Sequence, residues 1–160
     1  MSPEPYTIRL RGPWQLEPLE RYVPCGDGRW DRSTDDLPAA VRAKMPADWS
    51  AEFGSEFRGR VRYRRTFQKP TGLDEGQRVW LVVEPPRSRG TVSLGGELLG
   101  HVGYGDPPGR YDITERLQEH NHVDIVVEHP PLDDRTISND DDTARLPGGL
   151  VGEVRLEIEE

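Results

Sequence analysis

The residues able to do chemistry are plentiful in this 160-residue chain, but their spacing gathers them into no reaction centre. Acid/base hydrolysis needs two carboxylates held across a scissile bond. The 29 Asp and Glu residues fall instead on alternating positions of strand-like segments, as Asp124 and Glu128 do, or in an acidic stretch. Carboxylates so placed are expected to be solvated surface groups. Four histidines, His101, His120, His122 and His129, raise the question of a metal. His120 and His122 would share one face of a strand. The chain has no CxxC or HxxxH pair, so a transition-metal site lacks its ligand set and exposed loop histidines are expected. Gly100, Gly103 and Gly105 follow a hairpin strand rather than joining a strand to a helix, so they form no phosphate or dinucleotide cradle.

Two charged clusters remain. Asp133, Asp134, Asp140, Asp141 and Asp142 lie in the segment 130–147, which has no apolar side to pack and reads as a long loop. Hard carboxylate oxygens at Asp140, Asp141 and Asp142 suit Ca²⁺, and a structural calcium is the one cofactor considered. The alternate ligand spacing and turn glycine of a dedicated calcium loop are missing, so a solvated loop with no metal is the leading reading. Arg58, Arg60, Arg62, Arg64 and Arg65 interleave with apolar residues, as on a solvated sheet face. A net charge of −8 opposes nucleic acid and anionic lipid as partners. Arg65 has the same parity as Val61, Tyr63 and Phe67. It is therefore expected on the apolar side, paired with a carboxylate or carbonyl, or else touching a ligand.

The elements that must position these groups are strands. Gly and Pro make up one fifth of the chain, against 33% apolar residues, as in short strands joined by many turns. A period of two runs through Val61–Phe67, Val123–Val127 and Val154–Ile158. Val79–Val83 is apolar at every position and reads as a central strand ended by Pro85-Pro86. Gly95-Gly96 marks a two-residue hairpin between Thr91–Leu94 and Glu97–Val102. Helical turns are expected only at Leu37–Met45 and Thr114–Leu117. Cys25 is alone, so no internal disulfide can form. The first eleven residues lack the apolar core of a leader, and no run approaches the ~20 apolar residues of a membrane span, so a cytoplasmic protein is expected.

Four of these segments, in order, resemble the sugar-binding domain at the N-terminus of family 2 glycoside hydrolases, the β-galactosidases, β-glucuronidases and β-mannosidases. They are VRYRRTFQKP at 61–70, RVWLVVE at 78–84 with TVSLGGELLGHVGYG at 91–105, YDIT at 111–114 with NHVDIVV at 121–127, and PGGLVGEVRLEI at 147–158. Trp49 stands where that family often has a tryptophan. Gly95 departs from its usual hairpin asparagine but keeps the positive φ. The resemblance implies a single all-β domain over 1–160, strongest over 59–158, folded as a jelly-roll antiparallel β-sandwich of the galactose-binding type. It also implies a carbohydrate context without activity. The family's catalytic glutamates lie on a (β/α)₈ barrel of about 200 or more residues, for which these 160 have no room. The expected function is a non-catalytic carbohydrate-binding module. The alternatives are a protein-interaction sandwich, with a homodimer among its forms, or an accessory subunit of a separately encoded glycosidase. A ring facing a pyranose, with polar groups beside it, is the usual recognition device. The candidates are Trp30, Trp49 and Tyr104, with Trp14 as a further ring and Arg65 as the polar contact. Trp80, inside the central strand, is expected in the core.

Overall fold

The computed structural model describes residues 6–131 and 146–159. Along the chain run β1 (Tyr6–Arg9), β2 (Trp14–Pro24), β3 (Trp30–Ser33), β4 (Val41–Ala43), β5 (Ala47–Asp48), a single helical turn α1 (Ser50–Phe53) and β6 (Gly59–Gln68). They continue with β7 (Arg78–Val83), β8 (Arg89–Leu94), β9 (Glu97–Gly103), β10 (Gly109–Asp112), a 3₁₀ turn at Thr114–Arg116, β11 (His120–His129), β12 (Gly149–Leu150) and β13 (Val154–Glu159). One sheet has the order β1-β13-β7-β10. The facing sheet has the order β3-β2-β6-β11-β8-β9, with β4 added to β2. Every pairing is antiparallel. The fold is the expected all-β sandwich.

Strand parity builds the core. Val123, Ile125 and Val127 of β11 are fully buried and register against Arg65, Tyr63 and Val61 of β6. From the other sheet Val79, Leu81 and Val83 meet them, with Leu156 of the neighbouring β13. β7 is central, as its two-sided apolar sequence demands. The β8–β9 hairpin turns on Gly95 (φ 59°) and Gly96 (φ 89°), where a Cβ would be strained at both positions.

The outward parity of β6 is equally ordered. Arg64 holds Asp124 of β11 through two nitrogens, at 2.6 and 2.9 Å. Arg62 pairs with Glu17 and Arg60 with Glu20, both on β2. Glu128 accepts from Tyr22 at 2.7 Å and from Arg32 at 3.1 Å. The arginine run is therefore matched by carboxylates on the flanking strands. Each half-exposed pair is worth at most about 1 kcal/mol, so the ladder sets register more than stability.

Three expectations are corrected. Leu37–Met45 is not helical: Val41–Ala43 pairs with Trp14–Leu16 along the free edge of β2. The open ladder of β2 outweighs local propensity there. Trp80 is not core: it faces outward, half-buried, beneath the Arg110 guanidinium 4.0 Å from its ring centroid. The histidines are not loop residues. His101 is on β9 and the other three are on β11, where His129 is fully buried.

The end of the sandwich near His129 is closed by aromatic packing. Trp49 is fully buried, edge-on to Phe57 at 5.5 Å and to His129 at 6.1 Å. β12 crosses over it and pairs with β5. His129 Nε2 donates to the Leu146 carbonyl at 2.8 Å, and its Nδ1 faces the Ser88 hydroxyl. A Cβ on Gly148 would sit 2.4 Å from Trp49 Cζ2 and 2.7 Å from His129 Cβ. No side chain fits at that crossing.

Gly148→Ala should overpack the Trp49–His129 contact and cost about 1–3 kcal/mol. Thermal unfolding would read this as a midpoint lowered by roughly 3–10 °C for a domain of this size. A second expectation concerns acid. The Ser50 hydroxyl and amide hold Asp48 below the usual carboxylate range. Burial alone would raise Asp112, but hydrogen bonds from Thr114 and Arg78 outweigh it and lower that group too. Carboxylates depressed on folding stabilise fully above the ordinary value near 3.9, and that stability is lost as pH falls through the lower folded values. Unfolding midpoints measured from pH 6 to pH 2 should therefore fall, and fall less for Ser50→Ala and Thr114→Ala.

Candidate functional site

At the end opposite Trp49 the two sheets part. β1 and β13 stand on one side, and the last residues of β6 with the first of β11 stand on the other. Between them lies a cleft of ≈ 750 Å³. Its apolar surface comes from Ile8 and Leu10 of the β1 region, Leu156 of β13 and Phe67 of β6. Its polar surface comes from Arg9, Arg65, Gln68, His120, Asn121 and His122. Smaller recesses adjoin it on both sides, ≈ 490 Å³ beyond Gln68 and Pro70, and ≈ 390 Å³ beyond His120–His122 toward Gly95 and Arg116.

Local sequence explains the walls. Pro70 ends the strand after Gln68, so β6 cannot continue over the opening. Asn121 is 8% exposed and works on the chain rather than on a ligand. Its Oδ1 accepts from Gln118 N at 2.9 Å and its Nδ2 donates to Gln118 O at 2.8 Å, which folds the entry to β11 into a tight turn. His120 and His122 do share parity, and both line the cleft. Arg9 reaches the cleft while its Nε donates to Glu153 at 3.1 Å.

Arg65 is the unusual member. Parity turns it inward with Val61 and Tyr63, unlike its neighbours Arg62 and Arg64. Its Nη1 donates to Thr66 O at 2.8 Å, so the expected carbonyl partner is present. Its Nε is buried and has no acceptor, and no carboxylate among the described residues pairs with it. Leaving a buried charged donor unmatched costs about 1–3 kcal/mol or more.

The other residues picked from the sequence do not join it. Trp30 begins β3 and is 39% exposed; Tyr104 follows β9 and is 60% exposed. β3 and β9 are the two outer strands of the six-strand order, so five strand spacings, roughly 24 Å, separate them. Both lie near the Gly59 end of β6, about six residues or roughly 20 Å along the strand from Arg65. Trp49 is a core residue, buried by Phe53, Phe57 and His129, and presents no face to a ligand. Trp14 is likewise fully buried, its indole donating to Leu10 O at 2.6 Å. Asp140, Asp141 and Asp142 lie outside the described residues. Among the described residues no group of three His, Cys, Asp or Glu is placed to hold a metal, and no helix is long and apolar enough to cross a membrane. Arg9, Gln68 and Asn121 were not singled out from the sequence. The parity shared by His120 and His122 is that of Asp124, the outward face of β11, so it was no signal for a cleft between the sheets, and β1 shows only a short and weak alternation.

No family model and no curated protein sequence matches the chain. Solved structures do. The chain is similar to an FMN-binding β-glucuronidase from Faecalibacterium prausnitzii L2-6, with a TM-score of 0.71 and 24% identity over 97% of this chain and 22% of that one. It is similar to a Bifidobacterium dentium β-glucuronidase complexed with coumarin-3-O-glucuronide, with a TM-score of 0.67 and 19% identity over 99% of this chain and 31% of that one. It is also similar to a family 2 β-galacturonidase from Eisenbergiella tayi bound to glycerol, with a TM-score of 0.69 and 16% identity over 98% and 25%. At such identities the likeness establishes the fold. The chain spans between about a fifth and a third of the length of these glycosidases, and the described residues form a sandwich domain with no (β/α)₈ barrel.

Asn121→Ala would leave the Gln118 amide and carbonyl unmatched at the cleft wall. The expected loss is about 1–3 kcal/mol in denaturant unfolding, with the Gln118–His122 amides exchanging faster with solvent while those of β7 stay protected.

Proposed function

We propose that this sandwich is a non-catalytic carbohydrate-binding domain of the glycosidase accessory type, and that the cleft between β1 and the β6–β11 pair is its receptor. The observation that carries the reading is the combination of a whole-chain match to one domain of sugar-processing enzymes with a cleft whose apolar walls, Ile8, Leu10, Phe67 and Leu156, carry a few convergent polar groups. Pyranose recognition uses that mixture: apolar surface against the ring's C–H face, and fixed donors and acceptors for its hydroxyls. Acid/base hydrolysis needs two opposed carboxylates, and among the described residues no Asp or Glu lines the cleft.

A second reading has one observation in its favour. β9 is an outer strand, and Leu98 on it and Tyr104 just after it are 57% and 60% exposed, a surface on which another protein could pair or pack. An accessory role beside a separate catalytic chain would use such an edge.

Amide chemical-shift titration of the ¹⁵N-labelled chain with methyl galactosides, glucosides, glucuronides and mannosides separates these readings. At least one sugar is expected to shift the amides of Arg65–Gln68 and His120–His122 saturably, with β9 unmoved. Failure of every sugar to move those amides would overturn the receptor assignment. Turnover of nitrophenyl glycosides above background would overturn the non-catalytic one.

A further inference from the structure

We infer that binding does not end with the cleft: the recess beyond Gln68 and Pro70 is a second subsite, for the next unit of a glycan chain, and Tyr6 is its aromatic platform. The inference rests on the carbohydrate reading of the cleft and adds a site and a residue outside it. Its first support is continuity. The cleft of ≈ 750 Å³ and the recess of ≈ 490 Å³ share Ile8, Gln68 and Pro70, so one molecule can run from the first into the second. A pocket of about 300–1,000 Å³ holds a whole drug-sized ligand. A single pyranose is smaller than that, and in the cleft it leaves the recess to water.

The second support is where β1 puts Tyr6. On its inner face Tyr6 registers against Ile158 and Ile8 against Leu156. That row runs from core to solvent: Leu10 is 3% exposed, Ile8 is half-buried and Tyr6 is 68% exposed. Its members stand roughly 7 Å apart along the strand. β6 ends at Gln68, so the facing sheet does not cover the tyrosine. A lone exposed ring is ordinary on a protein surface. Tyr6 differs in its place. Of the large apolar side chains left exposed, Tyr6, Trp30, Leu98, Tyr104 and Leu146, it alone borders the cleft or a recess adjoining it.

The third support is a preformed floor. Lys69 N donates to Glu119 O at 3.1 Å, and Gln77 N donates to Asp74 O at 3.1 Å. Asp74 N in turn donates to Gln77 Oε1 at 2.8 Å, and Leu73 packs against the core. A floor already ordered takes a ligand without the entropic cost of fixing a loop. Around it the tyrosine ring, Pro70, Leu73 and Ile158 supply apolar surface, and Gln68 and Thr71 supply polar groups. A pyranose uses both, its C–H face against the ring and its hydroxyls against the polar side chains.

The test is a titration of the full chain with methyl β-D-galactoside, glucoside, mannoside and glucuronide, each against its β-1,4-linked disaccharide, followed by amide shifts. In at least one series the disaccharide is expected to bind at least about five-fold more tightly than the monosaccharide. It should shift Tyr6, Lys69 and Leu73 in addition to the amides of the cleft. In Tyr6→Ala the ratio between the two should fall towards one, while Tyr6→Phe, which keeps the ring, should retain most of the gain. The comparison in the unaltered chain stands even if a variant does not fold. Equal affinity for both sugars in every series would overturn this inference and leave the cleft reading intact. A preference that survives in Tyr6→Ala would overturn the assignment of Tyr6. Silence from every sugar would overturn both readings.

Discussion

The alternation of β6 is the constraint on which the rest depends. Successive side chains of a strand leave on opposite faces, so once Val61 and Tyr63 are committed to the core, Arg65 must follow them inward. Slipping the register by one residue would bury Arg62 and Arg64, tear Arg64 from Asp124 and expose Tyr63. The chain cannot spare Arg65 its position without losing ten paired positions along β11. What it does instead is end the sandwich there. The sheets part beside Arg65, β6 stops before Pro70, and the inward charge meets a cleft rather than a packed wall.

The two ends of the molecule then have different tasks. Near Gly59 and His129 everything converges on Trp49, over which Gly148 and Gly149 pass so closely that any side chain would collide. Histidine, serine and backbone carbonyls are consumed there in holding the segment that leads into β12. At the far end Asn121 shapes a turn while the buried Nε of Arg65 finds no acceptor among the described residues. An aromatic ring is the usual mark of a sugar site; Trp30 and Tyr104 lie at outer strands far from the cleft, whereas Tyr6, 68% exposed, lines the recess that adjoins it.

Most of the sandwich was legible in the sequence, because its central strands are cleanly alternating or wholly apolar. β6, β7, the β8–β9 hairpin, β11 and β13 all lie where period two and the Gly95-Gly96 turn put them. The first fifty residues were not legible, for identifiable reasons. β2 carries Pro18 and a register shift between Pro18 and Glu20, which interrupts its alternation. β4 is three residues long and exists only because β2 offers it an edge. The burial of Trp49 was not legible because it depends not only on the nearby Phe53 and Phe57 but on His129, eighty residues away in the chain. The cleft was half legible. The inward parity of Arg65 follows from the sequence, but that it looks across at β1 and β13 follows only from the sheet order, and His120 and His122 leave β11 on the outward face with Asp124.

The central claim is that the cleft between β1 and the β6–β11 pair receives a sugar. A crystal structure of the chain grown with a methyl glycoside that shifts the cleft's amides tests it most directly. The account requires the pyranose between Ile8 and Phe67, against the apolar wall they form. An empty cleft, or the sugar seated instead against Trp30 or Tyr104, would contradict it.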